Sequence, residues 1–212
     1  MVRIDFLKDY TFSAFDVETT GLNPYTGDRI CEIGLVQSKN GKTIKSYQTL
    51  IDPLRPIAYS AYAVNGISNA MVKGKPHFGK IAKKLVSMIK GTVMVCHNAQ
   101  FDLKFLQAEC LSANIEVPSF KVIDTLLLAR RCYNFERNNL GLIAAELEIK
   151  PSGEHRALAD AETTLEIFKR FASDFKDKGI DSLDKILELQ RVQRKTRPAY
   201  GNYYDRSPQL QA

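Results

Sequence analysis

No run in the chain approaches the roughly 20 apolar residues that a membrane helix needs. The opening MVRIDFLKDYTF holds no apolar segment of signal-peptide length either. Both absences set the expectation of a protein that stays where it is made, in the cytoplasm, with no membrane partner. Cysteine is scarce: Cys31, Cys96, Cys110 and Cys132 lie far apart without any CxxC pairing, which argues against a zinc site and against a disulfide framework. Buried, reduced thiols are expected. Cys96 adjoins His97, but neighbours on a strand point to opposite faces, which disfavours a Cys-His nucleophilic pair. There are no internal repeats.

What is present describes a folded, soluble domain with 44% apolar and 25% charged residues. At 212 residues, the length fits one domain plus an extension, or two small domains. A formal charge of +6 and a pI near 9.1 favour a polyanionic partner, nucleic acid first. TFSAFDV reads as a buried strand, and the two β-rich runs RICEIGLVQS and KTIKSYQTLI are joined at Asn40-Gly41, a hairpin signal. Pro56 opens a short helix that stops near Asn65-Gly66. Helical spacing then runs from Phe78 to Lys90, ahead of the all-apolar strand TVMVCH. Further helices are expected after His97, after KVID and over NNLGLIAAELEI. The last strongly periodic one runs from Ala157 to Lys176, with Ala161, Leu165, Phe168, Ala172 and Phe175 on one face. A hairpin sheet followed by alternating strands and helices predicts an α/β domain with a mixed sheet, an antiparallel N-terminal meander followed by parallel strands, flanked by helices. The expected division is a domain over 1–176 and a helical, basic extension over 177–212 that ends in an exposed tail.

Three stretches carry chemistry. In FDVETTGL, Asp16 and Glu18 stand two apart at the end of an apolar run, so on a strand they share a face. Like charges so placed repel unless something positive lies between them; the plainer reading is a solvated face. In HNAQFDLKFL, Asn98 is a helix N-cap and Asp102 lies in the first turn, where an acid also suits the helix dipole. Phe101 and Phe105 pack inward, with Asp102 turned away from them. In PSGEHRALADAETT, His155 and Asp160 on one regular helix would lie about 140° apart. They share a site only if His155 sits in the loop that Pro151, Ser152 and Gly153 make before the helix. Asp160 alternatively pairs with Arg156 at i, i+4.

Together and in this order, FDVETTG, HNAQFDLKFL and HRALAD resemble the DEDDh 3′-to-5′ exonucleases on a ribonuclease-H-like fold. Within them the chain is most similar, over residues 11–172, to the proofreading exonucleases of bacterial DNA polymerase III, the epsilon type. The resemblance implies that Asp16, Glu18, Asp102 and Asp160 hold two divalent cations, Mg²⁺ or Mn²⁺, which would explain the paired acids. It also implies that His155 is the general base, a role that suits an imidazole's ordinary pKa of about 6.5. No tyrosine stands between Tyr133 and Tyr200, so the tyrosine-bearing branch is not favoured. Thr19, Leu22, Val64, Asn65, Asn98 and Phe101 are the substrate-side residues implied. AVNGIS resembles the family's VHGIT segment, with Asn65 where histidine is usual. Asp124, His97 and His77 are read as structural, as packing or capping, and as surface. The implied function is removal of nucleoside 5′-monophosphates from DNA 3′ ends, single-stranded or frayed, in proofreading or repair, with a DNA polymerase as protein partner. The alternatives are a 3′ exoribonuclease, since nothing in the sequence reads a 2′-hydroxyl, and a non-catalytic module that binds nucleic-acid ends or a polymerase.

Overall fold

Residues 11–19 alternate between two apolar sets, and a strand must send these to opposite faces. The computed structural model describes residues 7–151, 153 and 155–191. In it this segment is β1 (Thr11–Thr19), with Phe12 and Ala14 in one core and Phe15 and Val17 in the other. β1 pairs antiparallel with β2 (Ile30–Lys39), and β2 antiparallel with β3 (Lys42–Leu50). Asn40 (φ 50°) and Gly41 (φ 74°) are both left-handed in the turn between them, the conformation that an Asn-Gly pair accepts cheaply. On its other side β1 pairs parallel with β4 (Val93–Cys96), and β4 parallel with β5 (Lys121–Asp124). The order β3-β2-β1-β4-β5 is the mixed sheet that the element pattern predicts, with the acid-bearing strand at its centre.

Two short helices, α1 (Tyr59–Asn65) and α2 (Asn69–Val72), enclose a small cluster of Cys31, Ile57, Ile67 and Val72. α1 starts at Tyr59 rather than Pro56: Ala58 is its N-cap, in an extended conformation (φ −63°, ψ 146°), and the Ile57 N–H before it is donated to Asn69 Oδ1 at 2.9 Å. α3 (Phe78–Ile89) and α4 (Ala99–Ser112) cover the sheet face of Phe15 and Val17. α5 (Thr125–Cys132), α6 (Leu140–Glu146), α7 (Ala157–Asp177) and α8 (Leu183–Leu189) cover the opposite face. The stripe that the spacing places on α7 is buried from Ala161 to Phe175.

The boundary at 176 does not separate packing units among the described residues. Leu183, Ile186 and Leu187 of α8 bury in the same core as α7. The Gln190 amide then covers the open edge of β5, accepting from Asp124 N (2.9 Å) and donating to Val122 O (2.5 Å). The basic tail from residue 192 lies outside the described residues. Among the described residues no helix is long and apolar enough to cross a membrane. All four cysteines are free thiols, and burial pushes Cys31 up to about 12 and Cys110 to about 11.

Candidate active site

Asp16 and Glu18 continue the Phe12–Ala14 face of β1 beyond the core. The register with β2 shifts between Glu18 and Thr19, and an irregularity of this kind re-aims side chains at a strand end. Asp160 reaches them because α7 starts directly on β2. Gly34, the register partner of Asp16, faces Ala157 so closely that a Cβ there would overlap the Ala157 carbonyl and Leu158 N. Arg156, just before the helix, forks onto Glu32 through Nε and Nη2. Wholly buried Glu32 also accepts from Ala157 N at 3.2 Å and Gln48 Nε2 at 2.9 Å. The first turn of α7 is thereby tied to the strand beside Glu18. As a result, one carboxylate oxygen each from Asp16, Glu18 and Asp160 lies within 4.8 Å of the others.

Asp102 arrives from α4, on the other side of the sheet. β4 pairs with β1 only from Phe12 to Ala14, and beyond that pairing the Val17 N–H donates to Asp102 Oδ1 at 3.2 Å. Asp102 is not turned away from Phe105 as the spacing predicts. Ala99, Asp102, Phe105, Leu106, Glu109 and Cys110 form the buried stripe of α4, and Phe101 is half-buried. Two acids are tolerated inside because each has a backbone N–H to accept from, Val17 for Asp102 and Ile30 for Glu109. Glu109 also takes the Arg29 guanidinium in a fork of two 2.7 Å bonds.

This crowding of carboxylates favours their protonated forms. Burial, followed by the charges of Asp102, Glu18 and Asp160, holds Asp16 well above the usual carboxylate range. Burial and the nearby Asp160 push Glu18 up to about 7, with the Asn65 amide pulling the other way. Burial likewise raises Asp102, against the Val17 N–H, which lowers it. A cation among the acids would reverse these shifts. An all-oxygen, anionic donor set fits a hard divalent ion such as Mg²⁺ or Mn²⁺.

The four acids line a cleft of about 480 Å³, together with Thr19, Leu22, Val64, Asn65, Asn98 and Phe101. Leu22 is 77% exposed on a loop built to hold it out. Thr19 Oγ1 donates to Gly21 O (2.6 Å), Asp28 takes the Thr20 hydroxyl and the Asn23 N–H, and Lys104 Nζ donates to Leu22 O (2.7 Å). Asn65 is buried, with Nδ2 on Thr19 O (3.3 Å) and Oδ1 accepting from Ile67 N (3.0 Å). Its amide shapes the bulged end of β1. Asn98 heads α4 in a left-handed conformation (φ 71°), but its side chain makes no cap. The cap comes instead from Asp124, whose carboxylate accepts from Asn98 N and Ala99 N and also from Leu126 N and Leu127 N at the start of α5.

His155 lies apart from the cleft. It is exposed with φ 54° and lines an adjoining pocket with the start of α6 and Pro151, a pocket that shares only Asp160 with the acid cleft. His97 packs, as expected: Nδ1 meets Thr125 Oγ1 (2.9 Å), Nε2 meets Asn138 O (3.0 Å), and burial lowers its pKa. His77 is exposed at the head of α3. Sequence reasoning missed Glu32, Arg156 as its partner, and Lys104. Glu32 was traceable, since a single acid inside the apolar run ICEIGLV must have a partner if it is buried. Lys104 left no comparable trace.

The RNase T model, described as exonuclease, matches residues 13–168. The chain is 36% identical over 193 residues to the DNA polymerase III PolC-type protein of Caldanaerobacter subterraneus subsp. tengcongensis, a match covering 89% of this chain and 14% of that protein. It is 35% identical over 188 residues to a DNA polymerase III subunit epsilon-like protein of Rhodobacter capsulatus, covering 85% of this chain and 26% of the relative. The chain thus spans a small part of the length of these relatives. Among solved structures, Exonuclease X in complex with 5′ overhanging duplex DNA superimposes with a TM-score of 0.65 at 25% identity, over 84% of this chain and 99% of that one.

Proposed function

The chain belongs to the RNase T exonuclease family, and from that premise we propose that it removes nucleoside 5′-monophosphates one at a time from DNA 3′ ends, in proofreading or repair. The observation that carries this reading is the convergence of Asp16, Glu18 and Asp160 within 4.8 Å, in a cleft they share with Asp102 and an apolar rim.

Asp16, Glu18, Asp102 and Asp160 would hold two divalent cations, Mg²⁺ or Mn²⁺. Bound there, such ions supply Lewis-acid stabilisation of phosphoryl charge and lower the pKa of a water. The protein's own residues do the rest. Glu18, with its carboxyl near 7, and Asp16 give up protons as the cations load, so loading is pH-dependent. Leu22, Val64 and Phe101 offer apolar surface to the terminal base, and Lys104 keeps the Leu22 loop in place. Asn98 and Thr19 present polar groups at the same wall. His155 takes the proton of the attacking water on an imidazole nitrogen as the water oxygen bonds to phosphorus and the bond from phosphorus to the leaving 3′-oxygen breaks, that oxygen taking up a proton from solvent to become the new 3′-hydroxyl. For this the His155 ring turns past Asp160 into the cleft. A terminus that must enter this cleft singly favours single-stranded or frayed ends. The polymerase III relatives make a DNA polymerase the protein partner we propose.

The test is digestion of a 5′-labelled single-stranded DNA oligonucleotide with Mg²⁺ or Mn²⁺, beside EDTA and Asp16→Ala controls. A ladder shortening from the 3′ end and abolished by both controls is expected. Faster loss of a matched RNA would move the assignment to an exoribonuclease, and no loss of either would leave the binding module.

A further inference from the structure

Between Pro53 and Phe101 the chain contains no aspartate or glutamate, yet it carries Arg55 and six lysines: Lys73, Lys75, Lys80, Lys83, Lys84 and Lys90. All six lysines are exposed, and among the described residues none lies within ion-pair distance of a carboxylate. A solvated helix face ordinarily interleaves both signs, so that i, i+4 pairs support it. On α3, Lys80 instead stands three and four residues before Lys83 and Lys84, where like charges repel. Lys80 also occupies the first turn, the positive end of the helix dipole, with no acid beside it. This arrangement weakens the helix, and none of these lysines has an acidic partner among the described residues; Lys84 Nζ alone lies over an aromatic ring, 4.4 Å from the centroid of Tyr47 on β3. β3 extends the basic face: Lys45 is the register partner of Gln37, whose amide donates to Met88 O of α3, so Lys45 stands on the α3 side of the sheet.

The stripe has a direction. Leu50 of β3 pairs with Glu32, and Glu32 pairs with Glu18, so this end of the sheet is the cleft end. The Asp52 N–H donates to Pro76 O, which fixes the Lys73–Lys75 turn there. The twelve residues of α3 then carry the lysines away from the cleft over about 18 Å. We propose that this face is the track for the phosphate backbone of the nucleic-acid strand whose 3′ end occupies the cleft. The proposal rests on the exonuclease reading only for what fills the cleft.

The test measures binding of fluorescent dT20 and dT4 to the full chain carrying Asp16→Ala, with and without Lys75→Ser, Lys80→Ser and Lys83→Ser together. Circular dichroism verifies folding, and the triple Lys→Arg variant serves as a rescue. With the serines, dT20 affinity falls at least tenfold and dT4 changes less than threefold. The slope of log affinity against log salt drops by about 2, for three phosphates at roughly 0.7 each, and arginine restores both. Unchanged dT20 affinity and slope in a folded serine variant would overturn the track. So would lysine-dependent binding of polyglutamate without lysine-dependent binding of dT20, which would assign the face to an acidic protein. Cleavage by the unmodified chain, followed in parallel with Mg²⁺, reports on the exonuclease reading separately: its failure beside lysine-dependent dT20 binding sinks that reading and leaves the track.

Discussion

At Glu18, burial and the neighbouring Asp160 raise the carboxyl from about 4.5 to about 7. The folded state therefore holds this proton more tightly than the unfolded chain does. Its contribution is fully present below pH 4.5 and is lost as pH rises through 7, at up to about 1.4 kcal/mol per pH unit for one proton. His97 acts with the opposite sign, because burial lowers its pKa and stability falls as pH drops below its ordinary range. The difference between wild type and Glu18→Gln isolates the carboxyl: metal-free thermal melts at pH 4.5, 6 and 8 should show Glu18→Gln gaining on wild type as pH rises. Saturating Mg²⁺ should shrink that gain. A constant offset across the range would mean that Glu18 ionises normally. At His155, replacement by alanine should lower kcat by 10²- to 10⁴-fold while leaving the melting temperature within a degree or so, as expected of an exposed general base. A loss under threefold would give the proton to another acceptor.

The elements set the site through where they start rather than through their length. α7 can place Asp160 beside Asp16 only because Gly34 removes the Cβ that would strike the Ala157 carbonyl, and because Glu32 fastens Arg156 and Ala157 N to β2. Gly34→Ala should force the head of α7 outward. The expected cost is about 1–3 kcal/mol, as for overpacked cores. Metal-dependent cleavage should fall by about 100-fold, the effect of roughly 1 Å of misplacement. Differential scanning calorimetry and the oligonucleotide ladder measure the two quantities, and wild-type cleavage by Gly34→Ala would show that the close approach is not needed. α4 is governed in the same way from its N-terminus, where the Asp124 carboxylate holds Asn98 and Ala99 ahead of Asp102.

At the scale of the whole molecule, one sheet divides two cores, and the acid cleft opens where β1 outruns β4. α8 belongs to that body. A chain ending at 177 loses Leu183, Ile186 and Leu187 from the core, each contributing about 1.5–3 kcal/mol on burial, and uncovers the edge of β5. It should melt at least 10 °C below a chain ending at 191 or aggregate on purification. Equal melting of the two truncations would restore a boundary near 176.

The sequence by itself determined the strand and helix pattern and the hairpin at Asn40-Gly41, and its motifs, through the family they resemble, named four acids and six further residues that are among those lining one cleft. These are legible because period-2 and period-3.6 burial, turn chemistry and short motifs are local properties. Only the tertiary structure decided that Asp102 is buried against Val17, that Glu32 rather than a helical neighbour holds Arg156, that α8 joins the core, and that His155 faces the adjoining pocket. Each of these depends on which groups meet across the sheet. A carboxylate can be buried only where a distant N–H or guanidinium meets it, and spacing along the chain does not encode that meeting.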